Sequence, residues 1–157
     1  MADVANKTQA AEEKRWRDSM GRKSKLRTYR SVKDKLTFES YLNFDSRRTR
    51  ILLTRLRSGT NFLRIEKGRY ENEAVEERVC YWCDEVEDEK HFLMECELFN
   101  EVRGNALGMW NEEAPHDKEA IFRSLMGGLK TSKNRERGIS HLIINNTKMR
   151  DAILNRL

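Results

Sequence analysis

Three cysteines and one histidine lie within seventeen residues of this chain, in the spacing Cys80-x2-Cys83-x7-His91-x4-Cys96. No other cysteine occurs in the sequence. Thiolate sulfur and imidazole nitrogen are the ligands that tetrahedral Zn²⁺ prefers, and four protein ligands leave no open position for water or substrate. The spacing therefore predicts a structural Zn²⁺ site of the CCHC type, a zinc knuckle, with these four residues as ligands.

The length and composition indicate a protein with a modest core. The chain has 157 residues, of which 38% are hydrophobic and 36% charged. Structural zinc contributes on the order of 10 kcal/mol of folding free energy, so a metal ion can compensate for a small core. Three cysteines cannot pair evenly, and no apolar run approaches the length of a signal peptide or a membrane span. We expect a reducing intracellular compartment, the nucleus or the cytoplasm.

Positive and negative charges are unevenly distributed along the chain. Residues 1–70 hold 19 Lys and Arg against 8 Asp and Glu, a balance of +11, whereas residues 71–157 hold 12 against 18, a balance of −6. Residues 71–101 alone carry 12 acidic side chains and only Arg78 and Lys90 as basic ones. We expect the basic half to bind a polyanion and the acidic zinc segment to serve as a scaffold.

The single proline and the low glycine content favour a mainly α fold, a small helical domain stapled by the CCHC zinc knuckle. We expect a disordered lead-in at 1–11, a basic helical nucleic-acid-binding part at 12–70, the zinc knuckle at 71–104 and a C-terminal helical part at 105–157. From about residue 25 onward these parts are expected to form one compact unit. The C-terminal part contains two predicted helices, the first at 117–126 and the second from about Arg135. Their apolar positions are Ile121, Phe122, Leu125, Met126, Ile139, Leu142, Ile143, Met149 and Ile153.

The segment 45–57 has the clearest helical pattern. Asp45 or Ser46 can cap its start, and Gly59 lies just beyond its end. On a helical wheel one arc carries Leu52, Leu53 and Leu56, and the opposite arc carries Arg47, Arg50 and Arg57. The arginine arc is either a phosphate-binding face or the solvated side of an ordinary amphipathic helix.

A second basic stretch, at 14–35, holds ten basic residues against two acidic ones, together with a narrow apolar stripe of Leu26, Tyr29, Val32 and Leu36. The residues that we expect to contact phosphate lie after this stretch and are Arg47, Arg50, Arg55, Arg57, Arg64, Lys67 and Arg69. Trp82, between the paired cysteines, either stacks on a base or packs against the knuckle, and packing is the favoured alternative.

The spacing of His91 and Cys96 conflicts with a regular helix. Asp88 can cap a helix that begins near His91. Residues five apart on an ideal α-helix are about 140° from each other, so these two ligands cannot share one face. Either the helix distorts near Glu95, or Cys96 approaches the metal from a looser turn.

The blocks around the zinc ligands resemble a known family. They are RLRSGT at 55–60, IEKGRY at 65–70, VEER at 75–78 and EDEKHFL at 87–93, followed by Cys96. These blocks look like the C-terminal zinc-binding region of non-LTR (LINE-type) retrotransposon reverse transcriptase polyproteins, and the likeness extends from about residue 25 to 103. In that family the region follows the polymerase domain, carries a CCHC zinc site and helps to hold template RNA or target DNA. The resemblance implies a zinc-dependent module that binds RNA or single-stranded DNA.

The sequence also departs from that family. It has no adjacent aspartates of a polymerase palm, and Asp117, Glu119 and Asp151 do not form a metal-nuclease set. We therefore expect that the protein has no enzymatic activity. We also expect it to be a stand-alone piece of such an element or a host protein derived from one. The alternative is a protein-interaction adaptor with no nucleic-acid role, which would expose an apolar patch around Leu142, Ile143, Met149 and Ile153.

Overall fold

The computed structural model of the protein describes residues 2–110, 117–127 and 132–156. This part contains seven α-helices of six or more residues: α1 (Ala2–Gly21), α2 (Arg27–Val32), α3 (Arg47–Ser58), α4 (Arg64–Tyr70), α5 (Asn100–Gly108), α6 (Lys118–Gly127) and α7 (Lys133–Leu154). Short 3₁₀ turns lie at Ser24–Leu26, Ser40–Asn43, Val75–Glu77 and Glu97–Phe99, and a π-helical turn lies at His91–Glu95. Within these ranges the β pairing is an isolated antiparallel bridge between Val79 and Val86. The predicted mainly α fold is confirmed.

The long helix α7 organises the packing. It lies against α5 and α3, and α2 packs between α3 and α6. One hydrophobic cluster runs from Tyr41 to Ile143 and includes the buried thiols of Cys80 and Cys96. The cysteine and histidine cluster therefore borders the main core and is not an appendage on the surface.

Helix α3 has the boundaries that its sequence pattern predicts. Ser46, and not Asp45, is the N-cap, because its side chain accepts a hydrogen bond from the Thr49 backbone N–H at 3.2 Å. Gly59 ends the helix in the left-handed conformation, with φ of 60°. The three leucines of the predicted apolar arc, Leu52, Leu53 and Leu56, are buried.

Replacement of Gly59 should destabilise the protein because the backbone leaves no room for a side chain. A Cβ atom at Gly59 would lie 2.1 Å from the carbonyl oxygen of Lys25, in a backbone conformation that other residues adopt at a cost. We expect Gly59→Ala to lower the free energy of unfolding by about 2–4 kcal/mol, measured by urea denaturation. Gly104→Ala is the matched control, because a Cβ there meets nothing within 4 Å and the helix gains propensity. Equal stability of the two variants would contradict this account of Gly59.

Helices α6 and α7 bury most of their predicted apolar positions. The four positions of α6, Ile121, Phe122, Leu125 and Met126, are all in the core. In α7 the buried ones are Ile139, Leu142 and Ile143, whereas Met149 and Ile153 are half-buried. The Gly127-Gly128 pair is typical of a helix end; α6 ends at Gly127, and Gly128 lies outside the described residues.

The N-terminal region differs from the prediction. Residues 2–11, which we expected to be disordered, form the first half of α1, because alanine and other good helix formers dominate this stretch. The basic stretch is not one helix: α1 ends at Gly21, and Lys23 is extended before α2 begins. Leu36 therefore falls outside the helices and is exposed, unlike the other members of the predicted stripe.

Candidate metal centre and nucleic-acid interface

The first two ligands lie in a tight turn between Val79 and Val86. The Cys80 backbone N–H donates to the Glu85 carbonyl at 2.7 Å, and the Asp84 N–H donates to the Cys80 carbonyl at 3.3 Å. Asp84 has a positive φ of 54°, which an aspartate tolerates better than most residues. The turn aims the side chains of Cys80 and Cys83 toward the same point.

The other two ligands come from the π-helical turn at His91–Glu95. Asp88 caps its start, as predicted, since its Oδ1 accepts from the His91 N–H at 2.8 Å. At the other end the Cys96 N–H donates to the His91 carbonyl at 2.9 Å, an i→i+5 bond. A π-helical turn holds more residues than an α-helical turn, so residues five apart come closer to one face. The distortion near Glu95 therefore lets His91 and Cys96 face one metal position, despite the separation of about 140° that an ideal α-helix would give them.

The ligand atoms of Cys80, Cys83, His91 and Cys96 all lie within 4.8 Å of one another. The Cys96 sulfur is 3.9 Å from the sulfurs of both Cys80 and Cys83, and the Cys83 sulfur is 3.2 Å from His91 Nε2. In a tetrahedral site with metal–sulfur bonds of about 2.3 Å, neighbouring sulfurs are roughly 3.8 Å apart. The cluster is thus arranged to hold a metal ion, and its cysteines are free thiols.

Burial and mutual hydrogen bonding shift the pKa values of the three thiols in different directions. The hydrogen bond from the Cys96 thiol lowers the pKa of Cys80 to about 3. The same hydrogen bond, together with burial, raises the pKa of Cys96, and burial raises that of Cys83. The cluster holds one thiolate readily, whereas binding of a cation by all three sulfurs requires loss of the remaining thiol protons.

Arg103 in α5 supports the turn that carries His91 and Cys96. Its Nη1 donates to the Leu93 carbonyl at 3.1 Å, and its Nη2 donates to the Cys96 carbonyl at 3.0 Å. The side chain is buried, and burial lowers its pKa. From α7, Asn146 Nδ2 donates to the Phe92 carbonyl at 2.9 Å. Neither contact was predicted, because a helical arginine and a helical asparagine carry no local signal of a partner in a distant turn.

Two acidic residues between the second and third ligands connect the cluster to the rest of the fold. Glu87 pairs with Arg150 of α7, at 2.6 and 2.8 Å. Glu89 accepts from Arg27 of α2 at 2.7 and 2.8 Å. Both carboxylates are buried. Part of the acidity of the zinc segment therefore has a structural role that charge counting did not show.

Three arginines form an exposed basic groove, which we call the arginine groove and define by Arg47, Arg48 and Arg55. Ile51, Phe62 and Asp151 also line this groove, whose volume is about 560 Å³. The three guanidinium groups have no salt bridge or side-chain hydrogen bond within the described ranges, and all three side chains are exposed. Arg48 was not among the predicted contacts, although its sequence position beside Arg47 could have suggested it.

Arg57 is not available for phosphate contact, contrary to the sequence prediction. It is only 1% exposed, and its Nη2 donates to Glu39 at 2.7 Å. Arg57 lies one helical turn after Leu53, only about 40° from it on an ideal helix, so its assignment to the opposite arc was wrong and its aliphatic stem enters the core. Its carboxylate partner lies eighteen residues earlier in the chain, beyond the range of local charge pairing.

The other four predicted contacts have partners in the fold. Arg50 is half-buried and donates to the Phe44 carbonyl. Arg64 pairs with Glu73 at 2.6 Å, Arg69 with Glu66 at 3.0 Å, and Lys67 weakly with Glu71 at 3.9 Å. Of the seven predicted residues, the fold places Arg47 and Arg55 together in the arginine groove, and it engages the remaining five elsewhere.

Two further sequence expectations concern surface apolar groups. Trp82 is 57% exposed, and it lines one surface depression with Cys83 and His91 and another with Cys80. It therefore lies beside the knuckle with part of its ring open, and both alternatives stay predictions. The apolar patch expected of an adaptor does not form around α7, since Leu142 and Ile143 are core residues.

Gly68 lies within α4, although glycine is unfavourable inside a helix. A Cβ there would meet the side chains of Glu73 and Arg78, so close packing explains the glycine.

In the part of the chain that the structure describes, the helices are too short or too polar to cross a membrane. The likeness to the C-terminal region of non-LTR retrotransposon polyproteins rests on the sequence blocks around the metal cluster. It stays a prediction, because a Cys₃His cluster on short helices is not specific to that family. No family model, no curated protein and no solved structure matches this chain.

Proposed function

We propose that Cys80, Cys83, His91 and Cys96 hold a structural Zn²⁺ ion. Three thiolates and one imidazole form a ligand set that suits Zn²⁺ and excludes hard cations such as Mg²⁺ and Ca²⁺, which prefer oxygen. All four positions of a tetrahedron are filled by the protein, so the ion would stabilise the fold and take no part in a reaction. With its thiols committed in this way, the protein is proposed to be a binding module and not an enzyme.

We further propose that the zinc-stapled domain binds nucleic acid through the arginine groove. The observation that carries this proposal is that Arg47, Arg48 and Arg55, three exposed arginines without a salt bridge in the described part of the chain, line one groove. Asp151 is the one acidic residue in that lining, so the groove keeps an excess of positive charge that favours an anion. Guanidinium groups bind phosphate with two parallel N–H donors, so a phosphodiester backbone fits the groove.

Single-stranded or structured RNA, or single-stranded DNA, is the proposed ligand class. The described part lacks the ββα arrangement of a duplex-reading zinc finger, and no family model of a major-groove module matches the chain. Phe62 and Ile51 add an apolar wall to the groove, against which an unpaired base can pack. The sequence resemblance to a template-holding region supports the same class of ligand.

Charge reversal in the groove tests this proposal. We expect the triple variant Arg47→Glu, Arg48→Glu and Arg55→Glu to bind a labelled single-stranded oligonucleotide at least about tenfold more weakly in low salt. The slope of log affinity against log salt should fall by about 2, because each phosphate contact on a single strand contributes about 0.7. Fluorescence anisotropy titrations at several salt concentrations measure both quantities, with structured RNA, single-stranded DNA and duplex DNA compared in parallel.

The matched control reverses three exposed charges elsewhere. Lys118→Glu, Arg137→Glu and Arg156→Glu change the net charge by the same amount, and all three side chains are exposed. This control should retain most of the affinity. If both triple variants lose affinity and salt slope equally, binding depends on overall charge and the assignment to the groove is wrong.

A further inference from the structure

A second concave site lies between the end of α1, α2 and α3, on the side of α3 that carries Arg57. We call it the aromatic cleft. Three aromatic rings, of Trp16, Tyr29 and Tyr41, contribute to its walls, and its volume is about 280 Å³. Ser19, Thr54, Ser58 and Lys23 also line it. The cleft is thus mainly apolar, with hydroxyl-bearing residues and one lysine among its lining residues.

Arg57 lies in the wall of the aromatic cleft with most of its donors unused. Its guanidinium carbon is 5.3 Å from the centre of the Tyr29 ring and 5.0 Å from that of Tyr41. One nitrogen, Nη2, donates to Glu39, whereas the buried Nε and Nη1 have no hydrogen-bond partner in the described part of the chain. Buried guanidinium nitrogens without acceptors are costly, so this site would gain stability from an added acceptor.

The charge around the cleft is also unbalanced. Glu39 is shared by two buried cations, Arg57 at 2.7 Å and Lys33 at 2.9 Å, and it also accepts a hydrogen bond from the Tyr29 hydroxyl at 3.3 Å. Two cations and one carboxylate leave a net charge of +1 in a mostly buried cluster, and Lys23 adds a second positive charge at the cleft. An uncompensated buried charge attracts a counter-ion strongly because the surrounding dielectric constant is low.

We propose that the aromatic cleft binds a nucleoside monophosphate unit, as the phosphorylated terminal nucleotide of a strand. The base would pack against the aromatic walls, and the phosphomonoester would lie near Lys23 and the hydroxyl groups, where it balances the excess charge. A volume of about 280 Å³ is near the lower limit of roughly 300 Å³ for small-molecule pockets. It therefore suits one nucleotide and not a longer segment.

This inference rests on the proposed function, because a strand whose backbone lies in the arginine groove would supply the end. The groove and the cleft are separate sites, with no lining residue in common. Backbone contacts in the groove do not distinguish an end from the middle of a strand, whereas a phosphomonoester carries more negative charge than an internal phosphodiester. The cleft would accordingly add a preference for phosphorylated ends to a binding mode that is otherwise independent of ends.

The test compares ligands that differ only in their ends. Four forms of one oligonucleotide are compared: with a 5′-phosphate, with a 3′-phosphate, with hydroxyl ends, and closed into a circle. The competitors are uridine 5′-monophosphate, adenosine 5′-monophosphate, uridine and inorganic phosphate. We expect one of the phosphorylated strands to bind at least about tenfold more tightly than the hydroxyl and circular forms, the effect of one or two charge-assisted hydrogen bonds. Free mononucleotides should remove that preference at lower concentrations than uridine or inorganic phosphate.

Variants locate the effect in the cleft. Ser19→Phe fills the space between the aromatic walls, and Lys23→Ala removes the exposed cation, so both should abolish the preference for a phosphorylated end. Lys25→Ala is the matched control, because it removes the same charge two residues away from an exposed position that does not line the cleft. Lys23 is exposed, so its replacement decides the question even if the larger side chain at Ser19 disturbs folding.

The possible results separate this inference from the proposed function. Absence of any end preference in the wild-type protein, or a preference that survives Lys23→Ala, would overturn the assignment of the cleft. Competition by inorganic phosphate as effective as that by mononucleotides would overturn the role of the aromatic walls. If the arginine groove does not bind nucleic acid, the wild-type protein will not bind the circular strand, which has no end for the cleft to recognise.

Discussion

Removal of the proposed Zn²⁺ ion is expected to unfold at least residues 75–105 and to weaken the whole core. Structural zinc contributes on the order of 10 kcal/mol, whereas small domains have net stabilities of about 5–15 kcal/mol. The cluster lies beside the main core, since Cys80 and Cys96 belong to the same apolar cluster as Leu53 and Leu142. Without the ion, three thiols and an imidazole would remain in a largely buried site, with one another and a few backbone groups as their hydrogen-bond partners. We expect a chelator, or Cys96→Ser, to cause a large loss of Tm and of helicity.

The measurement combines metal analysis with circular dichroism before and after chelation, and addition of Zn²⁺ should restore the signal. His91→Ala and His141→Ala form a matched pair, because each removes one imidazole but only His91 belongs to the cluster. We expect the first to behave like the chelated protein and the second to retain the native Tm. Native helicity and Tm after verified loss of the metal would contradict a structural role for the ion.

Much of the local structure was predictable because it depends on residues that are close in sequence. The cap at Ser46, the stop at Gly59 and the buried positions of α6 and α7 follow from patterns that repeat within one or two helical turns. The metal ligands were predictable for the same reason, since the four residues lie within seventeen positions. The spacing of His91 and Cys96 indicated either a distorted helix or a looser turn, and the structure has a π-helical turn there.

The differences concern charged residues and the partners that the fold gives them. Arg57 was expected on the polar arc of α3, but the fold buries it and brings Glu39, eighteen residues earlier, to its guanidinium group. Arg64 pairs with Glu73, nine residues later, which only the three-dimensional arrangement identifies. Arg69 and Lys67, in contrast, pair with Glu66 and Glu71 at helical spacing, so these two partners could have been found from the sequence. Of the predicted phosphate contacts the structure leaves Arg47 and Arg55 without salt bridges in its described part, and it adds Arg48 beside them.

Loss of the Glu89 carboxylate should cause the second large effect, because this group joins three parts of the chain. It is 1% exposed and accepts from Arg27 at 2.7 and 2.8 Å, from Thr28 Oγ1 at 2.8 Å and from Asn61 Nδ2 at 2.7 Å. Removing one member of a buried ion pair costs about 3–5 kcal/mol, and the lower end of this range, about 3 kcal/mol, applies here because the Arg27 side chain is 31% exposed and keeps its bond to Glu66. We expect Glu89→Ala to lower the free energy of unfolding by that amount, measured by urea denaturation of the zinc-loaded protein.

Glu85→Ala is the control in the same segment. Its side chain is exposed, so the free energy of unfolding should change by no more than about 0.5 kcal/mol. Equal stability of Glu85→Ala and Glu89→Ala would show that the buried pair contributes little.

A double variant separates the charge of this junction from its packing. Replacing both members, Arg27→Met with Glu89→Leu, removes the unpaired charge that either single change leaves behind, and such exchanges are often close to neutral. Recovery should be incomplete here, because Arg27 also donates to Glu66 at 2.6 Å, and that buried carboxylate would keep only its bond from Arg69. We therefore expect the double variant to lie between Glu89→Ala and the wild type. A double variant less stable than either single variant would contradict this account. It would mean that packing, and not charge, joins the basic N-terminal helices to the segment that carries the cysteine and histidine cluster.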